Sequence, residues 1–273
     1  MKYAGTGGRP VIRNLVIGQY IPANSIIHNL DPRAKIISIG IMMVGVFLLE
    51  SLISFLWWFG WVGLLMSMTG ISPVYLIRGI KPIWFIIIFT VIMHLFMNPG
   101  EVVAAVGPFT ITDVGIQKGL IIGTRIFLLV IITSMLTLTT SPLELTDGLE
   151  SLLKPFKKIG VPSHELAMMM TIALRFIPTL LEETERIMKA QMARGMDFRA
   201  GSLMKRVKNV VPLMVPLFVS AFRRADELAL AMEARCYRGG EGRTRMKQLK
   251  FTIRDQFALV AVLAVVGVAT MLR

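Results

Sequence analysis

Five long apolar runs, separated by short polar connections, limit what this chain can fold into. They are residues 34–49, 52–69, 83–97, 120–139 and 257–272, the fourth interrupted only by Arg125. A helix needs roughly 20 apolar residues to cross the hydrocarbon core of a bilayer, so the shorter runs must borrow flanking turns or tilt. Hydrophobic residues make up 54% of the 273, and the mean hydropathy is +0.66. That excludes an ordinary soluble domain. The expected fold is all-α and polytopic, with about five transmembrane helices. Trp57, Trp58 and Trp61 read as interfacial anchors of the second span.

The charge pattern orients the spans. Formal net charge is +13, and residues 141–255 hold 20 of the 30 lysines and arginines. Lys2, Arg9, Arg13, Arg33 and Lys35 precede or open the first span, and Arg78 and Lys81 separate the second from the third. The connection 98–119 has only Lys118, beside Glu101 and Asp113. Positive charge marks cytoplasmic loops, which places the N-terminus and 141–255 inside and the C-terminus outside. The basic residues flank apolar spans and form no stripe with aromatics, so nucleic acid is not the expected partner. The single cysteine, Cys236, excludes an internal disulfide framework and fits a reducing compartment. Residues 1–14 lack the apolar core of a signal peptide.

Between the fourth and fifth spans, two stretches end alike. Glu185 to Gly195 closes on Ala193-Arg194-Gly195, and Asp226 to Cys236 closes on Ala234-Arg235-Cys236. Each opens on an acid, runs through helix formers and places a cation in the last turn, as the helix dipole prefers. The bland reading is dipole complementation. Two copies 41 residues apart suggest instead two equivalent receptor sites on a symmetric or pseudo-symmetric partner. The runs 166–181 and 210–222 are short and carry Arg175 and Pro178, or Pro212 and Pro216. They read as buried or interfacial, and 142–240 as bent amphipathic helices under the bilayer. The expected division is an N-terminal interfacial segment over 1–33, transmembrane helices over 34–140, a cytoplasmic coupling-helix domain over 141–250, and a final transmembrane helix over 251–273.

Chemistry has little to build on. His28, His94 and His164 are scattered, so no metal site is expected. Cys236 has no nearby histidine to activate it, and no G-x-x-x-x-G-K-[ST] loop exists to cradle phosphates. Arg125 and Arg175, in apolar surroundings, are either functional or snorkelling. Met168, Met169 and Met170 are either core or an adaptable binding surface.

The chain resembles the transmembrane T component of energy-coupling factor (ECF) transporters, which are ABC-type importers. The resemblance rests on Tyr20-Ile21-Pro22, Ser25 to His28, Leu30-Asp31-Pro32-Arg33 with Lys35, and Leu174-Arg175-Phe176-Ile177-Pro178. Ala190-Gln191-Met192-Ala193-Arg194-Gly195 and Ala231-Met232-Glu233-Ala234-Arg235 complete it, so it covers essentially the whole chain. Asp31, Pro32 and Arg33 match a family motif, and the Ala-Arg-Gly pair is the family's hallmark. The second copy departs from it, with Cys236 where glycine would supply a left-handed helix stop.

The resemblance implies a non-catalytic coupling subunit in the cell membrane. Two ABC-type ATPases bind the tips Ala193-Arg194-Gly195 and Ala234-Arg235-Cys236. A small capture protein (the S component) binds a vitamin or metal ion, with Met168, Met169, Met170 and Pro178 as its expected contacts. No cofactor is expected on this chain, since ATP and Mg²⁺ belong to the ATPases, and membrane lipid is the remaining partner. The competing classes are a membrane-bound enzyme and a structural anchor for a soluble complex.

Overall fold

The computed structural model describes residues 20–106, 109–198, 202–239 and 249–272. Lys2, Arg9 and Arg13, used above for orientation, lie outside the described residues. The helices are α1 (Pro32–Phe47), α2 (Leu52–Thr69), α3 (Pro73–Ile80), α4 (Trp84–Met97), α5 (Asp113–Thr139), α6 (Pro142–Leu153), α7 (Ser163–Ala193), α8 (Leu203–Ala234) and α9 (Ile253–Met271). A hairpin of β1 (Val102–Val106) and β2 (Phe109–Thr112) lies between α4 and α5, and a 3₁₀ turn (Lys154–Ile159) follows α6. The chain is an all-α polytopic membrane protein. Contacts divide it into two compact units, the first holding α1–α6 and α9 and the second the 3₁₀ turn with α7 and α8.

Three of the five apolar runs become helices long and apolar enough to cross a membrane: α2, α5 and α9. The other two are shorter, with 16 residues in α1 and 14 in α4. At 1.5 Å per residue α4 spans about 21 Å, short of the roughly 30 Å hydrocarbon core. Pro82 explains the cut: with no N–H to give, it sits in a turn that separates α4 from α3. α3 falls in the connection between the second and third spans, yet its Leu76 and Ile80 are buried.

The first unit is built on close helix approach. Trp58, Val46, Leu128 and Ile132 are almost completely buried at its centre, with Met42, Phe55 and Val262 around them. Trp58 is therefore a core residue, not an interfacial anchor, because successive helical positions face about 100° apart. Trp57 is 42% exposed and donates from Nε1 to Val265 O at 3.4 Å. Gly45 lets α2 and α9 close on α1, since a Cβ there would lie 2.8 Å from Trp58 Cζ2 and 2.9 Å from Val266 Cγ2. Gly115, Gly119 and Gly123 repeat every four residues on α5 and let α4 approach to its backbone. At Gly115 an added Cβ would sit 2.8 Å from Leu95 O.

One end of this unit is a polar knot. Asp31 caps α1, its Oδ1 accepting from Arg33 N at 2.9 Å, and Pro32 takes the first helical position. Asp31 N in turn donates to Asp255 Oδ1 at 2.7 Å. Asp255 belongs to a capping box that starts α9, its Oδ2 accepting from Thr252 N at 2.7 Å and Thr252 Oγ1 at 2.6 Å. Lys35 Nζ donates to His28 O at 2.9 Å and Thr139 O at 3.1 Å, which joins the start of α1 to the end of α5. Ser25 Oγ–H donates to His28 Nδ1 at 2.7 Å, and His28 Nε2–H donates to Ile21 O at 3.1 Å. That pattern requires neutral imidazole, and burial holds the His28 pKa below the ordinary histidine value despite the bond to Ile21. The unfolded chain then takes up a proton more readily than the folded one. This contribution is complete above the ordinary histidine value and is lost as the pH falls below it.

Arg125 also has a structural partner. Its guanidinium donates to Leu49 O at 2.8 Å and lies 5.7 Å from the Phe47 ring centroid. It satisfies the Leu49 carbonyl just past the end of α1 and stacks near Phe47.

Candidate functional site

The second unit is a pair of long helices. α7 has 31 residues and runs on through Pro178, and α8 has 32 and runs on through Pro212 and Pro216. By length and composition α7 also reaches the range of a membrane span, at mean hydropathy 1.2 against 2.2 for α5. Its apolar part is confined to the first half, because Glu182, Glu183, Glu185, Arg186 and Lys189 crowd the second. The acids Glu185 and Asp226 lie well inside their helices, which begin at Ser163 and Leu203. They are thus not the helix-start acids expected from the sequence. Glu185 lies 4.0 Å from Lys189 in an i,i+4 pair.

Three contacts fix how the helices run. Glu183 Oε2 meets Arg224 Nη2 at 3.7 Å, His164 Nε2 meets the Tyr237 hydroxyl at 3.4 Å, and Asn209 Nδ2 donates to Asp197 O at 2.8 Å. Moving toward the C-terminus of α7 means moving toward the N-terminus of α8. The pair is an antiparallel hairpin, and the two tips lie at its opposite ends. Met168 and Ile172 of α7 line a groove of about 510 Å³ with Leu228, Met232, Arg235 and Cys236. Arg194 stands 22 residues beyond Ile172 on the same helix, about 33 Å away at 1.5 Å per residue.

Both tips end in the same backbone motif. At the first, Arg194 is the C-cap and Gly195 is left-handed at φ 88°. Gly195 N donates to Met192 O at 3.0 Å and Met196 N to Gln191 O at 3.1 Å. At the second, Arg235 is the C-cap and Cys236 is left-handed at φ 56°. Cys236 N donates to Glu233 O at 2.8 Å and Tyr237 N to Met232 O at 3.0 Å. This is the Schellman arrangement twice over. The departure at Cys236 leaves the end geometry intact, and among the described residues Cys236 is the only non-glycine with positive φ.

A side chain in the left-handed region costs about 1–2 kcal/mol. Cys236→Gly is therefore expected to raise stability by about 1 kcal/mol, read as a higher thermal midpoint in detergent. A lower midpoint would mean that the thiol's packing in the groove outweighs the strain.

Ala193, Arg194, Gly195, Ala234, Arg235 and Cys236 are all exposed. The alanine before each arginine adds little bulk beside the guanidinium. Met169 and Met170 are 55% and 43% exposed and Pro178 is exposed, but Met168 turns into the groove beside Arg235. The three methionines thus do not share one surface, since adjacent helical positions diverge. Arg175 is exposed and makes no ion pair with a described residue. Asp31, Pro32 and Arg33 belong to the knot of the first unit, a structural setting. Asp255, at the centre of that knot, went unnoticed in the sequence, although Thr252-x-x-Asp255 is a readable capping box. Among the described residues no group of three or more His, Cys, Asp or Glu could hold a metal ion.

The family model for cobalt transport protein (CbiQ) matches residues 23–246. The chain is 54% identical over 250 residues to the energy-coupling factor transporter transmembrane protein EcfT of Thermosediminibacter oceani, covering 92% of this chain and 94% of the relative. It is 53% identical over 263 residues to EcfT of Acidaminococcus fermentans, covering 96% and 98%. Over 265 residues it is 46% identical to EcfT of Bacillus subtilis, covering 95% and 98%.

Proposed function

The chain belongs to the CbiQ cobalt transport protein family, and from that premise we propose that it couples two ATPase subunits to a substrate-capture membrane protein through Arg194 and Arg235. It is a multi-pass transmembrane transporter component of the EcfT kind, not an enzyme. ATP and Mg²⁺ are bound by the ATPases, each of which receives one tip. The observation that carries this reading is the pair of matched Schellman ends at opposite poles of an antiparallel hairpin. Antiparallel helices are related by a local two-fold axis, so the tips suit two like sites about 30 Å apart on a two-fold partner. Dipole complementation alone requires neither exposure of both arginines nor equal end geometry.

In this reading α7 and α8 lie on the cytoplasmic side, and the capture protein, which holds a vitamin or metal ion, packs against exposed apolar side chains such as Met169 and Met170. Purification by a tag on this chain, with mass spectrometry of what accompanies it, tests the proposal. Two nucleotide-binding subunits and a small apolar membrane protein are expected, and no ATPase turnover from the chain alone. Replacing Met169 and Met170 by Gln should release the small protein and spare the ATPases. Absence of nucleotide-binding subunits under conditions that keep the transporter active would overturn the reading. Orientation is checked by labelling single cysteines at Thr110 and Ser202 in a Cys236→Ser background, which should react from opposite sides of the membrane.

A further inference from the structure

We infer that the half-enclosed cavity of the first unit holds one inner-leaflet phospholipid, its acyl chain between the helices and its anionic headgroup on Arg254. The term "inner leaflet" rests on the orientation proposed above, while the binding itself does not. The cavity measures about 360 Å³ and its walls are apolar, formed by Ile39, Met42, Leu65, Met135, Phe257 and Val262. That is within the ~300–1,000 Å³ of small-ligand sites. Its depth follows α9 from Arg254 to Val262, eight residues or about 12 Å at 1.5 Å per residue. Half of a ~30 Å hydrocarbon core is about 15 Å, so the cavity runs the depth of one leaflet.

The charged side chains of the lining lie at the end where the knot lies, while Ser38 and the Trp61 indole are the polar groups elsewhere on its wall. Lys35 and Thr139 line that end with Arg254, but Lys35 Nζ is already engaged by His28 O and Thr139 O. Arg254 is exposed, without an ion pair to any described residue, and lies in the first turn of α9. A cation is disfavoured there by the helix dipole, so helix stability does not account for it. The inside-positive bias that orients the spans places it at this face, where an external anion at the mouth can meet it. A single extended hydrocarbon chain fits, and an anionic lipid satisfies both ends at once.

The chain, purified with its bound subunits, is exchanged into nanodiscs of equal palmitoyl-oleoyl phosphatidylglycerol and phosphatidylcholine and then released into native mass spectrometry. One phosphatidylglycerol per chain should be retained, preferred over phosphatidylcholine by about fivefold, the increment of one basic residue at an anionic surface. Arg254→Gln should remove the preference, and Ala261→Phe, which fills the cavity, should remove retention altogether. Ala258→Leu serves as a second filling variant should Ala261→Phe fail to assemble, and Lys250→Gln should match the unaltered chain. The inference is overturned by no retained phospholipid, by no preference for phosphatidylglycerol, or by filled variants that retain it normally. An added mass belonging to a peptide in place of a lipid would overturn it equally.

Discussion

A chain carrying Arg194→Glu together with Arg235→Glu is expected to lose ATPase copurification and substrate uptake completely, at normal expression. Each arginine is exposed in the free chain, so reversal does not touch the fold. In the complex each guanidinium would be forked onto carboxylates or carbonyls, and its planarity and permanent charge suit it to transmit a push in register. Truncating a buried, paired charge at an interface costs about 2–5 kcal/mol. At roughly 1.4 kcal/mol per decade, one lost tip weakens binding tens- to thousands-fold. A single variant is milder, because the other tip keeps the ATPase pair tethered at high effective concentration. Arg→Lys at both positions should retain some assembly but couple poorly, for want of the fork. If the arginines only complement helix dipoles, the double reversal costs under about 1 kcal/mol per helix and uptake survives. Uptake in membrane vesicles separates the two outcomes.

Asp255→Ala is expected to be among the most destabilising single changes in the first unit. The side chain is 1% exposed and accepts from Asp31 N, Thr252 N and Thr252 Oγ1. Hydrogen bonds to a charged group contribute about 1.5–3 kcal/mol each, and removing the acceptor leaves buried donors unpaired. A loss of about 3–5 kcal/mol follows, the range found when one partner of a buried charged network is deleted. Lys35→Met should cost a comparable amount, since His28 O and Thr139 O then lose their donor. Thermal unfolding in detergent and the yield of inserted protein measure both. Midpoints unchanged from the unaltered chain would show that water replaces the lost groups. The double variant should cost less than the sum, because the two residues serve one network.

The lipid-facing character of this chain was legible in the sequence. Spans of apolar side chains are set by the chain's own composition, and so were α2, most of α5, α9, and the start of α1 at Asp31-Pro32. The two tips were legible as well, because a helix end is specified by residues within one turn of it. Local rules were less complete where two answers compete, as at Cys236. A cysteine does not announce a left-handed stop, and only the hydrogen bonds from Cys236 N and Tyr237 N reveal one. The acids Glu185 and Asp226 misled for the opposite reason: periodicity does not show how far upstream a helix begins.

Tertiary structure alone decided what depends on residues distant in sequence. That α7 and α8 are antiparallel, with Arg194 and Arg235 at opposite poles, follows from Glu183 meeting Arg224 and His164 meeting Tyr237. No local pattern encodes a pairing across 41 or 73 residues. Trp58 entered the core rather than the interface because Gly45 of another helix leaves room for it. Asp255 became the anchor of Asp31 because two helix starts 224 residues apart converge. The amino-acid sequence by itself determined which segments leave water and where helices stop, since those are transfer and capping energies of neighbouring residues. Which faces meet, and so which ends of the hairpin the arginines occupy, was left to packing, where shape is read only between elements already formed.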